Sequence, residues 1–277
     1  MGRKLRNGIA RALLYGSTLL ICALLLTIVG IICVRGVPYL TLPLLTSEES
    51  ILHDTVGILP AILNTVVVIL FSLAIALPIG IGAAVYLTEY AKNGTLVSII
   101  AFSTEVLAGI PSIIYALVGV IVFCTGLGLQ KTLLSASLTL SIMVLPTVIR
   151  TTQESLKTVP HSYREGALGL GAGQWHTIAT VVLPSARSGI LTGCILSIGR
   201  VVGESAVLLY TAGLSTTMQN FLPPDIFRAS GATLSSALYL YAKERADWNT
   251  AFAIALLLLL LTLVITLSAD WIGKKLK

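Results

Sequence analysis

Charged side chains are scarce in this sequence. Only 11% of the 277 residues are Asp, Glu, Lys or Arg, against roughly 25% in a typical soluble domain, and the mean hydropathy is +0.94. Histidine occurs three times and cysteine four times, without the spacing of a metal site or a disulfide framework. The composition therefore argues against a soluble enzyme, and we predict no catalytic residues, no metal site and no cofactor.

Long apolar runs take the place of charge. A helix needs about 20 residues to cross the hydrocarbon core of a bilayer. Six segments qualify, at about 12–34, 61–88, 97–124, 133–150, 186–211 and 250–271, and the third and fourth are predicted to be interrupted. The sequence therefore predicts an all-α membrane protein with about six transmembrane helices. Residues 1–60 would comprise an N-terminal tail, the first transmembrane helix and an external loop, and residues 61–277 the main domain.

Basic residues are distributed unevenly between the two sides that six spans define. With six spans both termini lie on one side, and that side holds more than twice as many Lys and Arg residues as the other. Because cytoplasmic loops carry the excess of positive charge, both termini and the segment 151–185 are predicted to be cytoplasmic. The net charge of +6 then reflects topology and contact with anionic membrane lipids, with no indication of nucleic-acid binding.

The polar segment 151–185 has features of a docking element. Directly after Pro160, Ser162-x-x-Glu165 has the pattern of a capping box, which predicts the start of a helix. The predicted helix continues to Gly173 through small residues, namely Gly166, Ala167, Gly169, Gly171 and Ala172. Each glycine disfavours a helix by about 0.5–1 kcal/mol relative to alanine, but it leaves the backbone approachable by another protein. A capped flexible loop without a partner is the alternative interpretation.

The same segment resembles the EAA loop of binding-protein-dependent ABC importer permeases. That family pattern is Glu-Ala-Ala, three residues, Gly, nine residues and Ile-x-Leu-Pro. With Gly166 for alanine and Val181 for isoleucine, it is matched by Glu165, Gly166, Ala167, Gly171, Val181, Leu183 and Pro184. The resemblance implies the type I ABC importer permease fold over residues 61–277, with a cytoplasmic coupling helix that rests on a separate ABC ATPase dimer.

Two glycine-rich segments could suggest that the chain binds a nucleotide itself. Residues 126–132 end in Lys-Thr like a phosphate-binding loop, but both required glycine positions are occupied by other residues. Residues 169–173 contain alternating glycines without a preceding strand. We therefore predict that the chain is not an enzyme and that any ATP hydrolysis belongs to a partner.

The fifth predicted span carries two charges. Counting from residue 186 places Arg200 roughly 20 Å along the helix, where an arginine is disfavoured by about 2.5–3.5 kcal/mol. Glu204 lies four residues further on, on the same helix face, so the two are predicted to pair. An entering oxyanion could compete with Glu204 for the guanidinium, which would place both residues on a substrate path. A permanent structural ion pair is the alternative.

Three stretches in order, residues 107–115, the EAA loop and residues 199–213, resemble the A-type permease subunits of the phosphate ABC importer (PstA-type). The resemblance covers roughly residues 60–271. It implies a heterodimer with a C-type permease, an external phosphate-binding protein, inorganic phosphate as substrate and the prokaryotic cytoplasmic (inner) membrane. A permease for sulfate or molybdate, an ion-coupled secondary transporter and a non-transporting scaffold are the alternatives.

Overall fold

The computed structural model describes residues 2–49, 56–91, 94–217 and 225–275, and within them the secondary structure is entirely helical. In chain order the helices are α1 (Arg3–Gly36), α2 (Leu42–Thr46), α3 (Leu59–Val85), α4 (Thr95–Gly109), α5 (Ser112–Gly119), α6 (Leu133–Thr158), α7 (His161–Gly169), α8 (Gln174–Thr177), α9 (Leu183–Gly203), α10 (Ala206–Thr211), α11 (Asp225–Arg228), α12 (Leu234–Tyr239) and α13 (Trp248–Lys275). Turns of π-helix prolong α3 to Tyr90, α5 to Gly126 and α12 to Glu244, and join α8 to α9.

The number of membrane spans agrees with the prediction. Five continuous helical segments are long and apolar enough to cross a bilayer, namely Asn7–Tyr39, Leu59–Tyr90, Leu133–Thr158, Gln174–Gly203 and Trp248–Ser268. A sixth crossing is formed if α4 and α5 act together as one broken span. The described part of the chain is thus an all-α membrane protein with five or six spans.

The third predicted span, 97–124, is not one straight helix. Its two halves, Val97–Gly109 and Ser112–Gly126, meet at an angle of 103°. Pro111 disfavours helical geometry in the residue before it, and Ile110 is extended with φ −72° and ψ 130°. The proline therefore breaks the span, which confirms the interruption predicted for it.

The fourth and fifth spans differ from their predicted bounds. Helix α6 continues to Thr158 through Pro146 without the predicted interruption, so the first eight residues of the predicted loop 151–185 are helical. The fifth span was predicted as one helix over 186–211, but α9 ends at Gly203 and α10 begins separately at Ala206. Neighbouring helices compensate the backbone group lost at the proline, whereas polar side-chain contacts stabilise the break after Gly203.

The central helices pack closely because small residues meet at their contacts. Gly189 and Gly193 of α9 lie directly against the side chains of Ser155 and Thr151 of α6, and a Cβ at either glycine would clash. Helix α6 is the most buried of the continuous spans. Such close approach of backbones is a usual basis of helix association in membranes. Helix α6 is therefore the central helix around which the other spans are arranged.

Polar contacts join the short helices to the spans at the end of the bundle opposite α7. The fully buried Asn64 of α3 donates from Nδ2 to the carbonyl oxygen of Ala232 at 3.0 Å. The hydroxyl of Thr65 accepts from the backbone N–H of Leu234 at 2.9 Å. Residues 234–239 therefore form a short helix that packs into the protein.

An ion pair closes the same end. The guanidinium of Arg245 contacts the carboxylate of Glu49 and lies 4.8 Å from the ring centre of Tyr241. Burial and, next in importance, the carboxylate of Glu49 raise the pKa of Tyr241 to about 12. Tyr241 therefore stays a neutral phenol near neutral pH.

Candidate functional site

The segment predicted to dock a partner does contain a helix, but this helix starts differently from the prediction. Helix α7 begins at His161, directly after Pro160, which has φ −57° and ψ 140° and occupies the N-cap position. No side chain caps this terminus, so the predicted capping box of Ser162 and Glu165 does not form. The extended backbone at the proline sets the first helical residue and leaves Ser162 inside the first turn.

The helix is also shorter than predicted. It ends at Gly169, because the backbone reverses at Gly171, whose φ is +87°. A left-handed conformation of this kind is adopted readily by glycine and disfavoured for other L-residues. The N–H of Ala172 then bonds back to the carbonyl of Ala167 at 3.1 Å and closes the turn. The matched motif glycine therefore terminates the docking helix.

Beyond this turn the segment presents apolar side chains to the surroundings. Leu168, Leu170 and Trp175 are 50%, 91% and 65% exposed. Glu165 and Gly166 are exposed beside them, and Ala167 is partly buried. We call Glu165, Gly166, Leu168, Leu170 and Trp175 the docking surface. Exposed apolar groups rimmed by polar residues are typical of protein interaction sites.

The distal part of the motif lies away from that surface. Leu183 is the first residue of α9 and packs against a buried cluster that includes Ile178 and Val182. Pro184 follows inside the continuous helical segment Gln174–Gly203, two residues after the turn of π-helix over Ile178–Val182. The Leu-Pro pair thus lies where the π-helical turn passes into α9.

Arg164, next to Glu165, faces inward. Its side chain is 16% exposed and that of Glu89, just after α3, is 9% exposed. Arg164 Nε donates to Glu89 Oε2 at 3.0 Å and Arg164 Nη2 donates to Glu89 Oε1 at 2.6 Å. Arg164 also donates from Nη1 to the carbonyl of Val159 at 2.8 Å and from Nη2 to that of Leu156 at 2.9 Å. We call these groups the Arg164 clamp.

A second contact ties the far side of the docking segment to the same turn. Gln174 Nε2 donates to the backbone carbonyl of Glu89 at 2.9 Å. The sequence argument assigns neither Arg164 nor Glu89 a functional role. The available signal was that these opposite charges occupy two loops that the predicted topology places on one side of the membrane.

Arg200 lies deep in the helical bundle. It is a partly buried residue of α9, and its Nη1 donates to the hydroxyl of Thr147 at 3.4 Å. Thr147 is near the middle of α6, so Arg200 lies close to mid-depth among the spans. Among the residues that the structure describes, the other N–H groups of this guanidinium have no hydrogen-bond partner.

The predicted pairing of Arg200 with Glu204 is wrong. Helix α9 ends at Gly203, and Glu204 has an extended backbone, so the two residues do not share a helix face. Glu204 Oε1 instead accepts from the backbone N–H groups of Ala206 at 3.0 Å and Val207 at 3.3 Å, at the start of α10. Its carbonyl oxygen accepts from the hydroxyl of Ser235 at 2.8 Å. Glu204 therefore stabilises the helix break beside Arg200.

This arrangement leaves most N–H donors of the Arg200 guanidinium without a partner among the described residues, so they can bind a ligand. A guanidinium carries five N–H donors in a planar fork that matches the oxygens of an oxyanion. Because Glu204 is engaged with α10, a bound anion would not have to displace it from Arg200. The site can therefore recognise an oxyanion by direct hydrogen bonds, without catalytic chemistry.

Comparison with known proteins places the chain among transport components. Residues 76–277 match the family model described as "Binding-protein-dependent transport system inner membrane component". The "Probable ABC transporter permease protein YqgI" of Bacillus subtilis (strain 168) is 32% identical over 99% of this chain and 97% of its own length. The "Phosphate transport system permease protein PstA" of Mycobacterium leprae (strain TN) is 33% identical, over 94% of this chain and 88% of its own. The protein of the same name from Pasteurella multocida (strain Pm70) is also 33% identical, over 96% and 94%.

Solved structures share the fold at lower identity. A bacterial alginate ABC transporter, in complex with an alginate pentasaccharide-bound periplasmic protein, aligns with a TM-score of 0.67 and 17% identity over 99% of this chain and 98% of that one. The inward-facing MetNI methionine ABC transporter aligns with a TM-score of 0.63 and 21% identity over 80% and 94%. The type I ABC importer permease fold predicted from the EAA loop is thereby confirmed.

Proposed function

The chain belongs to the family of binding-protein-dependent transport system inner membrane components, and from that premise we propose that it is a permease subunit of an ATP-driven inorganic phosphate importer. It would form half of the translocation path and perform no chemistry itself. Named phosphate permeases at 33% identity over nearly the whole chain support this substrate.

The main support for the proposal is the hydrogen bonding of Arg200. An unneutralised arginine inside an apolar span is disfavoured unless it faces a polar path or a partner, and such residues commonly mark the route of a substrate. Its guanidinium makes a single 3.4 Å hydrogen bond, to Thr147, within the described residues. Phosphate offers oxygens that can occupy the free donors in a bidentate geometry. We assign Arg200 to the substrate path and Glu204 to the break that positions it.

The docking surface would couple the permease to ATP hydrolysis by a partner. Glu165, Gly166, Ala167 and Gly171 would form the contact with a cytoplasmic ABC ATPase dimer, while Leu183 and Pro184 connect that contact to α9. In this arrangement both termini are cytoplasmic, a homologous C-type permease completes the path, and an external binding protein delivers phosphate. The exposed Leu170 and Trp175 support a protein partner at this surface.

A permease for another oxyanion is the second candidate. Arg200 would suit sulfate or molybdate as well as phosphate, and the fold is shared with importers of methionine and alginate. An ion-coupled secondary transporter has less support, because the exposed docking surface then has no use.

Uptake in native cells tests the proposal. Labelled phosphate uptake would be measured in phosphate-starved cells with the gene deleted, restored, or restored as Arg150→Met, a control in an ion pair of which both side chains are 67% exposed. We expect uptake to be lost on deletion and recovered in both restored strains. Unchanged phosphate uptake on deletion would overturn the phosphate assignment.

Two additions to that assay separate the alternatives. Excess unlabelled sulfate or molybdate should leave phosphate uptake unchanged, whereas competition by either would favour the second candidate. Depletion of ATP at a fixed proton gradient should stop uptake, and continued uptake would favour ion coupling.

A further inference from the structure

Helix α7 has little packing of its own to hold it in place. None of its nine residues is buried, two are glycines, and no side chain caps its first turn. An isolated helix of this length is unstable in water, so its position depends on contacts with the rest of the protein. A partner that moves the docking surface would therefore act on the transporter through those contacts.

The Arg164 clamp is the strongest of these contacts. One guanidinium bonds both carboxylate oxygens of Glu89, just after α3, and the carbonyls of Leu156 and Val159, at the end of α6. Bidentate charge-assisted hydrogen bonds fix orientation as well as distance. The side chains are largely shielded from water, so the pair is weakly screened. Arg164 thus connects α7 to two membrane spans at once.

We propose that Arg164 is the positioning residue that passes movement of the docking helix to α3 and α6. The inference rests on the proposed coupling of this surface to an ATPase. Because Arg164 faces inward while Glu165 faces outward, loss of the clamp should leave the ATPase bound and free to hydrolyse ATP, while the spans no longer follow.

The chain contains a matched control for this proposal. Arg150 and Glu154 of α6 also form an arginine–glutamate pair, with Arg150 Nε 3.4 Å from Glu154 Oε1. Both side chains are 67% exposed and the pair lies within one helix. Arg150→Met removes one positive charge, as Arg164→Met does, but it breaks no ion pair between different helices.

The experiment uses the complete transporter, purified with its ATPase and binding protein and reconstituted in liposomes. Wild type, Arg164→Met, Arg164→Lys and Arg150→Met would be compared for retained ATPase, rate of ATP hydrolysis and phosphate uptake per ATP. For Arg164→Met we expect unchanged retention and hydrolysis with uptake per ATP lower by about tenfold, within the range found for residues that couple two sites. Lysine should give an intermediate loss because it lacks the planar fork, and Arg150→Met should match wild type.

A distance measurement tests the connection without reference to the substrate. Spin labels on cysteines at Tyr163 and Tyr86, which are 53% and 47% exposed, would report the distance between α7 and the end of α3 in a variant lacking the native cysteines. The distance distribution should stay narrow in wild type with and without ATP, and broaden in Arg164→Met. If that variant does not assemble, Glu89→Gln, which keeps the shape of the side chain, should broaden it to a smaller extent.

Each contrary result has a distinct meaning. Wild-type uptake per ATP and a narrow distribution in the Arg164 variants would overturn the proposal. Loss of the ATPase from an inserted Arg164→Met complex would also overturn it, since the residue would then shape the docking surface. Absence of phosphate uptake by the wild-type complex would overturn the proposed substrate alone, and the distance measurement would still test the clamp.

Discussion

Two arginines of this chain occupy opposite situations. Arg164, where the docking helix meets the spans, makes five hydrogen bonds of 2.6–3.3 Å with Glu89, Val159 and Leu156. Arg200, at mid-depth in the bundle, makes one hydrogen bond of 3.4 Å, with Thr147, among the described residues. The protein itself uses the donors of the first, whereas the second keeps most of its donors available. The comparison distinguishes an arginine that holds the fold together from one suited to a ligand.

Burial alone would not have separated them. Both are partly buried, and each has a glutamate close in sequence, Glu165 beside Arg164 and Glu204 four residues after Arg200. In neither case does that nearby glutamate pair with the arginine within the described residues. Glu165 points outward, and Glu204 accepts hydrogen bonds at the start of α10. The difference in their hydrogen bonding follows from the direction of the side chains.

The largest effect is expected at the arginine with free donors. Arg200→Ala should lower phosphate uptake at least about a hundredfold, since two hydrogen bonds to a charged group contribute about 1.5–3 kcal/mol each. Arg200→Lys should also transport poorly, because a point charge lacks bidentate geometry. Both variants should retain the ATPase in pull-down assays. Normal uptake by the alanine variant would place Arg200 outside the path.

The second-largest effect is expected at Glu165, which faces outward beside the inward-facing Arg164. Glu165→Lys reverses the charge on the docking surface and leaves the clamp intact. We expect ATPase binding to weaken at least tenfold, about 1.4 kcal/mol, while the chain still inserts in the membrane. Co-purification of the ATPase at increasing salt concentration measures how tightly the ATPase binds. Retention equal to wild type would show that Glu165 lies outside the contact.

The smallest effect is expected at the partner of Arg200. Thr147→Val removes the 3.4 Å hydrogen bond and keeps the shape of the side chain. Because that bond is long, uptake should fall by less than about fivefold, within the 0.5–1.5 kcal/mol of an ordinary hydrogen bond. Measuring uptake over a range of phosphate concentrations checks the size of this loss. A loss as large as that of Arg200→Ala would mean that Thr147 contacts the substrate itself.

Much of the architecture could be predicted because its signals are local. Apolar runs indicated the spans, and the spacing from Glu165 to Pro184 indicated the docking element. The sequence also predicts an interruption of the third span, where the structure has a bend of 103° beside Pro111. The fifth span was predicted as one helix, and the contacts of Glu204 divide it. Hydropathy measures transfer from water and is insensitive to such breaks.

The membrane class, the helical content and the motif over residues 165–184 can be read from composition and short spacing, which do not depend on distant contacts. Which charges meet depends on how the helices pack. Arg164 and Glu89 are 75 residues apart, and Arg200 and Thr147 are 53 apart. No periodicity relates positions so far apart. Their pairing follows from how α3, α6 and α9 pack, and that packing separates the clamped arginine from the available one.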